Sequence, residues 1–414
     1  MKKLFALAGF ILFLAMGFAP QNAWALPSWA RRYNADCSMC HTMYPQLNAV
    51  GHKFRRLGYR MPDEFDSKET QLSTEDISKL THYFSARGRP RMTYTKAAGT
   101  PAKFNFTMED VTVFYAGPVT RNFSFYFELP FEPADEKGFL EVGQLNMAFG
   151  SSDSFFFARA GQFHSLSKVG FGGLDRFIGI SAPAIVSTTV NGATLRQDVL
   201  GVELGFSRGQ FTGLLQAHDG INPTGTTVLD NADSNNAKDL VALLEYMIPD
   251  NNGSISAVYM YGKEPTPEDN AGTAVVGAKE TKINRAYLFA DYTFDTIGLR
   301  PIIGGGVGFD NQFVRGIGTK TPVLVSATDS RSWFSFIELD KKINDNLYAL
   351  GRFDMYDPTN KDEANKATDK TWSGTGGVVW QFQKFMRTTL EYQAKHNKDL
   401  KTSHAITGEL QLVF

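Results

Sequence analysis

From about Tyr83 onward the chain is written in stretches of roughly ten residues that alternate apolar and polar side chains. That period of two belongs to half-buried strands. Between Arg121 and Phe131, one face carries Phe123, Phe125, Phe127 and Leu129 and the other Ser124, Tyr126 and Glu128. Between Leu347 and Tyr356, Leu347, Ala349, Phe353 and Met355 oppose Arg352 and Asp354. Between Phe385 and His396, Met386, Leu390, Tyr392 and Ala394 oppose Arg387, Glu391, Gln393 and Lys395. A sandwich with a wet outer face would alternate in this way. So would a barrel in a membrane, with its apolar row turned to lipid and its polar row lining a lumen.

Connection lengths separate the two. Tight turns are predicted at Gly117-Pro118-Val119-Thr120, Gly150-Ser151-Ser152-Asp153, Ser207-Arg208-Gly209, Pro249 to Gly253, Asp295-Thr296-Ile297, Asn344-Asp345 and Gln383-Lys384. Between them lie longer polar segments: Lys96 to Lys103, Glu132 to Gly138, His164 to Arg196, Gly220 to Asn236, Lys263 to Lys282, Asn311 to Ser330, Pro358 to Lys370 and Asn397 to Ser403. Short turns alternating with long loops are expected of a transmembrane barrel with periplasmic turns and extracellular loops, and a sandwich has no reason to keep that order. The pattern predicts about 16 antiparallel strands over residues 81–414, and an even number returns both mature termini to the periplasm. Ile406, Leu410, Leu412 and the terminal Phe414 share one face of the last stretch, opposite Thr407, Glu409 and Gln411. A final strand with a C-terminal aromatic resembles the signal that outer-membrane proteins present for insertion. The 13% aromatic content, with 34 Phe, suits a lipid-facing band with aromatic girdles.

The N-terminus reads as an export signal over residues 1–25. Lys2 and Lys3 precede an apolar run from Leu4 to Phe18, and Ala23-Trp24-Ala25 offers small residues for cleavage before Leu26. The run is shorter than the roughly 20 residues a spanning helix needs. With 21% charged residues, composition alone would suggest a soluble protein; strands that cross a membrane escape that inference. The net charge of −1 gives no sign of nucleic-acid binding.

The only two cysteines stand in Cys37-Ser38-Met39-Cys40-His41. This is the spacing that attaches a c-type haem, with both thiols bound to the vinyl groups and His41 beneath the iron as its proximal ligand. The competing readings are half a zinc site, a thioredoxin-like pair and a disulfide. Zinc would want a second ligand pair, and the other histidines are scattered singly; a thioredoxin-like pair would want a βαβ context. One haem c is therefore expected on a segment spanning residues 26–80. A helix is predicted to restart at Pro45, carrying Leu47, Val50, Phe54 and Leu57 until Gly58 stops it. So few apolar groups make a marginal independent core. Docking in or at the barrel lumen would supply the missing contacts.

Ala25-Leu26-Pro27, Trp29-Ala30-Arg31, the Cys37–His41 motif, Pro45-Gln46-Leu47-Asn48, Gly51, Phe54 and Gly58-Tyr59 together resemble the N-terminus of the fused monohaem cytochrome–porins. These outer-membrane proteins include the iron oxidases of iron-oxidising bacteria. The resemblance implies a cytochrome segment that plugs a sixteen-stranded porin and passes electrons from extracellular ferrous iron to periplasmic carriers such as a c-type cytochrome. The chain departs from the pattern at Arg32-Tyr33-Asn34, Val50 and His52.

For the distal iron ligand the candidates are Met61 and His52, with Met43, His82 and Met92 behind them. On one continuous helix His41 and His52 would lie about 16 Å apart, so His52 requires a chain reversal near Pro45. Met61, beyond the Gly58 stop, is free to fold back. Acids such as Glu132, Asp135, Glu136, Glu264, Glu268 and Asp269 in the long segments suit a metal cation. The inward row of Arg352, Arg387 and Lys395 beside Asp354 and Glu391 would either guide ions or pair with the plug. The expectation is an oxidoreductase-type electron conduit in the outer membrane, with ferrous iron as the donor. The alternatives are a diffusion porin with a haem-bearing plug or sensor, and outward transfer to extracellular acceptors.

Overall fold

The computed structural model describes residues 28–67, 82–131, 142–164, 166, 173–174, 177–187, 195, 198–219, 238–264, 281–313, 328–360, 370–383, 386–397 and 401–413. The predicted signal segment, the boundary near residue 80 and Phe414 lie outside them. A small hairpin, β1 (His41–Met43) and β2 (Gln46–Leu47), precedes sixteen long strands: β3 (Phe84–Ala97), β4 (Lys103–Pro118), β5 (Phe123–Pro130), β6 (Val142–Ser151), β7 (Ser154–His164), β8 (Asp198–Arg208), β9 (Phe211–His218), β10 (Asp239–Ile248), β11 (Gly253–Glu264), β12 (Thr281–Tyr292), β13 (Leu299–Phe313), β14 (Thr328–Lys342), β15 (Leu347–Asn360), β16 (Thr371–Gln383), β17 (Met386–Asn397) and β18 (Lys401–Val413). Each pairs antiparallel with its sequence neighbours, and β18 closes on β3 from Ser403↔Ala97 to Val413↔Arg87. Closure removes the free edge that would leave backbone N–H and C=O groups unpaired in hydrocarbon.

The alternation is inside-out, as the sequence pattern predicts. Leu244 is 70% exposed, Phe106 68% and Phe156 64%, while Glu203, Gln216, Glu338 and Asp340 on the opposite face are fully buried. Phe123 and Phe125 point outward and Ser124 and Glu128 inward, and Phe353 and Leu390 stand outside while Arg352, Asp354, Arg387 and Glu391 stand inside. A soluble protein rarely exposes so continuous an apolar surface. In a bilayer that surface is the solvated one. No helix among the described residues is long and apolar enough to cross a membrane; the apolar band that suits a bilayer is the outward face of the strands.

All seven predicted tight turns fall between the expected strands. Two of the segments read as long loops are short: β3 ends at Ala97 with β4 starting at Lys103, and β17 ends at Asn397 with β18 starting at Lys401. Their strands run further than the hydrophobic pattern, because polar residues continue the ladder beyond the apolar band. The segment expected as an outer loop between β7 and β8 folds inward instead. Phe177, Ile178, Ile185 and Val186 are buried, and a short helix, Ala184–Ser187, lies against the inner wall. The acids Glu132, Asp135, Glu136, Glu268 and Asp269 lie outside the described residues, and only the backbone of Glu264 is described.

Lipid-facing Leu244 supplies a test. Leu244→Arg should destabilise the barrel by about 2–4 kcal/mol, the cost of a cation near the bilayer midplane. Denaturant titration of the protein refolded in lipid vesicles would measure this; an unchanged midpoint would show that this row does not face lipid.

Candidate functional site

Residues 28–67 fold as a plug in the lumen, at the end where the seven short turns lie and where β3 begins and β18 ends. The Cys37–Met39 segment is a single turn of 3-10 helix, closed by Met39 N to Asp36 O at 3.0 Å and Cys40 N to Cys37 O at 3.2 Å. The next helix, Ala49–Arg56, begins four residues later than the predicted restart at Pro45. Asn48 decides this: its Oδ1 accepts from Gly51 N at 3.0 Å and caps the helix. Its Nδ2 donates back to Met39 O at 3.0 Å and Ser38 O at 3.4 Å, and its backbone N donates to Cys40 O at 2.9 Å. One side chain thus caps the helix and clamps the cysteine turn. Gly51 completes the packing, since a Cβ there would collide with Cys40 O. Gly58 ends the helix as predicted, with a left-handed φ of 71°.

Pro45 sits instead in the turn of the β1–β2 hairpin, after a cis Tyr44–Pro45 peptide. Its carbonyl faces His41 Nδ1 at 2.7 Å. A carbonyl only accepts, so Nδ1 carries the proton and Nε2 keeps its lone pair. Burial holds the His41 imidazole neutral, with its pKa down at about 4. This is how a metal-ligating histidine is oriented: one ring nitrogen fixed by a backbone carbonyl, the other available. Burial, with Cys37 nearby, pushes the Cys40 thiol up to about 11, the opposite of the depressed pKa of a thioredoxin-like nucleophile. Neither Cys37 nor Cys40 forms a disulfide, and both are partly accessible.

The hairpin makes the reversal that His52 requires, so the straight-helix separation from His41 does not apply. His52 is buried and lines a cavity between plug and wall with Thr42, Gln46, Asn48, Met247 and Arg300. Met61 caps the helix Pro62–Asp66 and packs into the cluster of Trp29, Tyr33, Phe54, Tyr59 and Tyr126. Met43 packs with Ile178, Leu350 and Val379. Met92 is paired with Gly408, one position from the inward Arg91–Glu409 pair, and so faces outward. His82 stands just ahead of β3.

The plug is fastened to the wall by charge and stacking. Buried Arg56 pairs with Glu245 of β10 and donates to Thr212 Oγ1 of β9 at 3.1 Å. Asp66 accepts from the N–H and hydroxyl of Ser152 at 2.7 and 2.5 Å. Tyr59 stacks between Trp29 at 5.3 Å and Tyr126 of β5 at 4.8 Å. Tyr44 is held by Arg387 Nη1, which donates to its carbonyl at 3.0 Å, and by Gln411 Nε2, which donates to its hydroxyl at 3.0 Å.

The inward row pairs with what fills the lumen. Glu391 accepts from Ile180 N at 2.8 Å, Asp354 from Ala184 N at 2.9 Å, and Arg352 donates to Ser181 O at 2.8 Å while pairing with Glu338 and Asp354. Lys395 lies apart, lining a cleft with Lys96, Lys103 and His404 toward the long-loop end. Asn48, Tyr44 and the Pro45 carbonyl are the site residues that the sequence reading did not assign a role. Only Asn48 carries a local signal, an N-cap residue three before Gly51.

No family model and no curated protein matches this chain. Among solved structures it is similar to the outer-membrane channel DcaP of Acinetobacter baumannii (TM-score 0.55, 12% identity, 80% of this chain and 96% of that one). It is also similar to an anion-selective porin from Comamonas acidovorans (TM-score 0.53, 13% identity, 80% and 98%) and to Salmonella typhi OmpF in complex with daunomycin (TM-score 0.55, 10% identity, 80% and 97%). At these identities the likeness is one of fold: the chain has the sixteen-stranded fold of outer-membrane porins.

Two substitutions test the plug. Arg56→Ala removes the cation that pairs with buried Glu245 and should cost about 3–5 kcal/mol, loosening the plug so that single-channel conductance in planar bilayers rises. Arg56→Ala with Glu245→Ala should recover much of the loss. Asn48→Ala should cost about 1 kcal/mol from the cap alone, and faster amide exchange confined to residues 37–57 would report it.

Proposed function

We propose that this protein is an outer-membrane cytochrome–porin, in which the plug carries one c-type haem on Cys37 and Cys40 with His41 as proximal ligand, and passes electrons between an extracellular donor and a periplasmic carrier. The observation that carries the reading is the contact of His41 Nδ1 with the Pro45 carbonyl at 2.7 Å, beside two cysteines that form no disulfide. Those residues fit the group. When bound, a haem supplies one-electron redox chemistry. This chain's part is to hold the imidazole neutral and oriented, to clamp the cysteine turn through Asn48, and to keep the whole segment within the barrel.

Position supports the same reading. A hydrocarbon band about 25 Å tall separates the two aqueous sides, and a single redox centre serves as a conduit only when it is held within the pore. The short turns and both ends of the barrel are assigned to the periplasm, which puts the plug where a periplasmic carrier can reach it. Ferrous iron is the proposed donor, on the resemblance of the N-terminal motifs to the monohaem cytochrome–porins.

The likeness to porin structures favours a second reading, a diffusion porin for small solutes in which the haem segment is a plug or sensor. Against free diffusion stands the filled lumen: the plug and the segment around Phe177–Ser187 take up inward carboxylates and arginines from β10, β15 and β17. The purified protein should show a covalent c-type haem by its pyridine haemochrome spectrum. Ferrous iron added outside oriented proteoliposomes should reduce it, and Cys40→Ala should lose that reduction while the barrel assembles. Intact ion conductance with no reduction from outside would leave the porin reading standing and end the conduit one.

A further inference from the structure

Six wall arginines are buried among the described residues: Arg87, Arg159, Arg285, Arg300, Arg352 and Arg387. Five of them hold a carboxylate, from Asp110, Glu203, Asp310, Asp291 and the pair Glu338 and Asp354 respectively. Arg387 does not. Its Nε donates to Gln411 Oε1 at 3.2 Å and its Nη1 to the carbonyls of Tyr44 and Ile178 at 3.0 and 3.3 Å, all neutral acceptors. Its Nη2 is buried and has no hydrogen-bond partner among the described residues.

The neighbourhood deepens the imbalance. Arg387 lies in the field of Arg87 and Arg89, and Asp110 is already shared between those two. Glu409, the nearby acid, is engaged by Arg91. A buried guanidinium without a counter-charge is costly, and buried charges in proteins are paired. Among the described residues the corner is therefore short of one anion. Its position says where that anion comes from: Arg387 lies over the Tyr44 ring at 5.4 Å, and that ring lies 5.0 Å from the ring of His41. The vacant N–H is one aromatic ring away from the proposed proximal ligand.

We infer that Arg387 is an oxyanion-binding residue, and that on the proposed function its Nη2 receives a propionate carboxylate of the haem attached at Cys37 and Cys40. The inference rests on that reading for the source of the carboxylate. A free phosphate or small carboxylate entering the lumen has the same chemistry. On either source Arg387 ties plug, inward segment and barrel wall together through Tyr44 O, Ile178 O and the anion. A fixed cation beside the haem also disfavours its oxidised, more positive state, so Arg387 positions the group and raises its potential.

The test is a redox titration of the full-length haem-bearing protein with Arg387→Gln and Arg387→Lys, with covalent haem content and barrel assembly measured on each. R387Q should keep its haem and shift the midpoint potential downward, and R387K should restore most of the shift. An unchanged midpoint in haem-replete R387Q would overturn the inference. A wild-type midpoint that moves on adding inorganic phosphate while R387Q does not respond would keep Arg387 as the oxyanion site and overturn the propionate as its source. A wild-type chain without covalent haem would sink the functional reading instead. In that protein, phosphate block of the bilayer current that is lost in R387Q still establishes the oxyanion site, and equal block in both removes it.

Discussion

The pairing of β18 with β3 is the interaction on which everything else in this molecule depends. It seals the last edge of a sixteen-strand ladder, so that every strand can sit in hydrocarbon with its backbone groups satisfied. Closure also fixes the ends. Because Val413 pairs with Arg87, the chain enters and leaves the barrel at one rim, the rim of the short turns. The plug precedes β3, so it is delivered to that rim and no other.

A barrel of this width encloses space that side chains from the wall do not fill, and its inner face is lined with charge. Two separate pieces of chain take up that charge: the N-terminal plug through Arg56, Asp66 and Tyr44, and the inward segment through Ile180, Ser181 and Ala184. They meet at Arg387, which bonds a carbonyl from each. The plug is small, and its own hydrophobic groups form little more than the Trp29–Phe54–Tyr59 cluster. Its order therefore comes from the wall as much as from itself. For the proposed redox role, a fixed position matters more than an independent fold.

The strands were legible because their alternation is dictated by two solvents. Phe123, Phe125 and Leu390 must meet lipid, and Glu128, Glu391 and Arg352 must not, so period two survives in the sequence whatever the neighbours are. The turns were legible for a related reason: Gly150, Gly209 and Gly253 adopt the positive φ that tight reversals demand. The inward path between β7 and β8 was not legible. Its length matches an outer loop, and what holds it in the lumen is contact with Arg352, Asp354, Arg387 and Glu391, more than 150 residues away in sequence, and the burial of Phe177, Ile178, Ile185 and Val186. Pro45 misled for a local reason, because a proline is as much at home in a hairpin turn as at a helix start, and the cap at Asn48 settled the choice.

The barrel, its strand number, the gathering of its short turns at one end and the Cys37–His41 motif can all be read from local patterns along the chain, each with a direct physical cause. The orientation of His41 by Pro45, the clamp of Asn48 on the cysteine turn, the outward side of Met92 and, among the described residues, the lack of a carboxylate on Arg387 alone of the buried wall arginines emerge only in the folded lumen. These depend on which distant groups meet inside a closed lumen. Alternation says which face a side chain takes; it does not say what stands opposite.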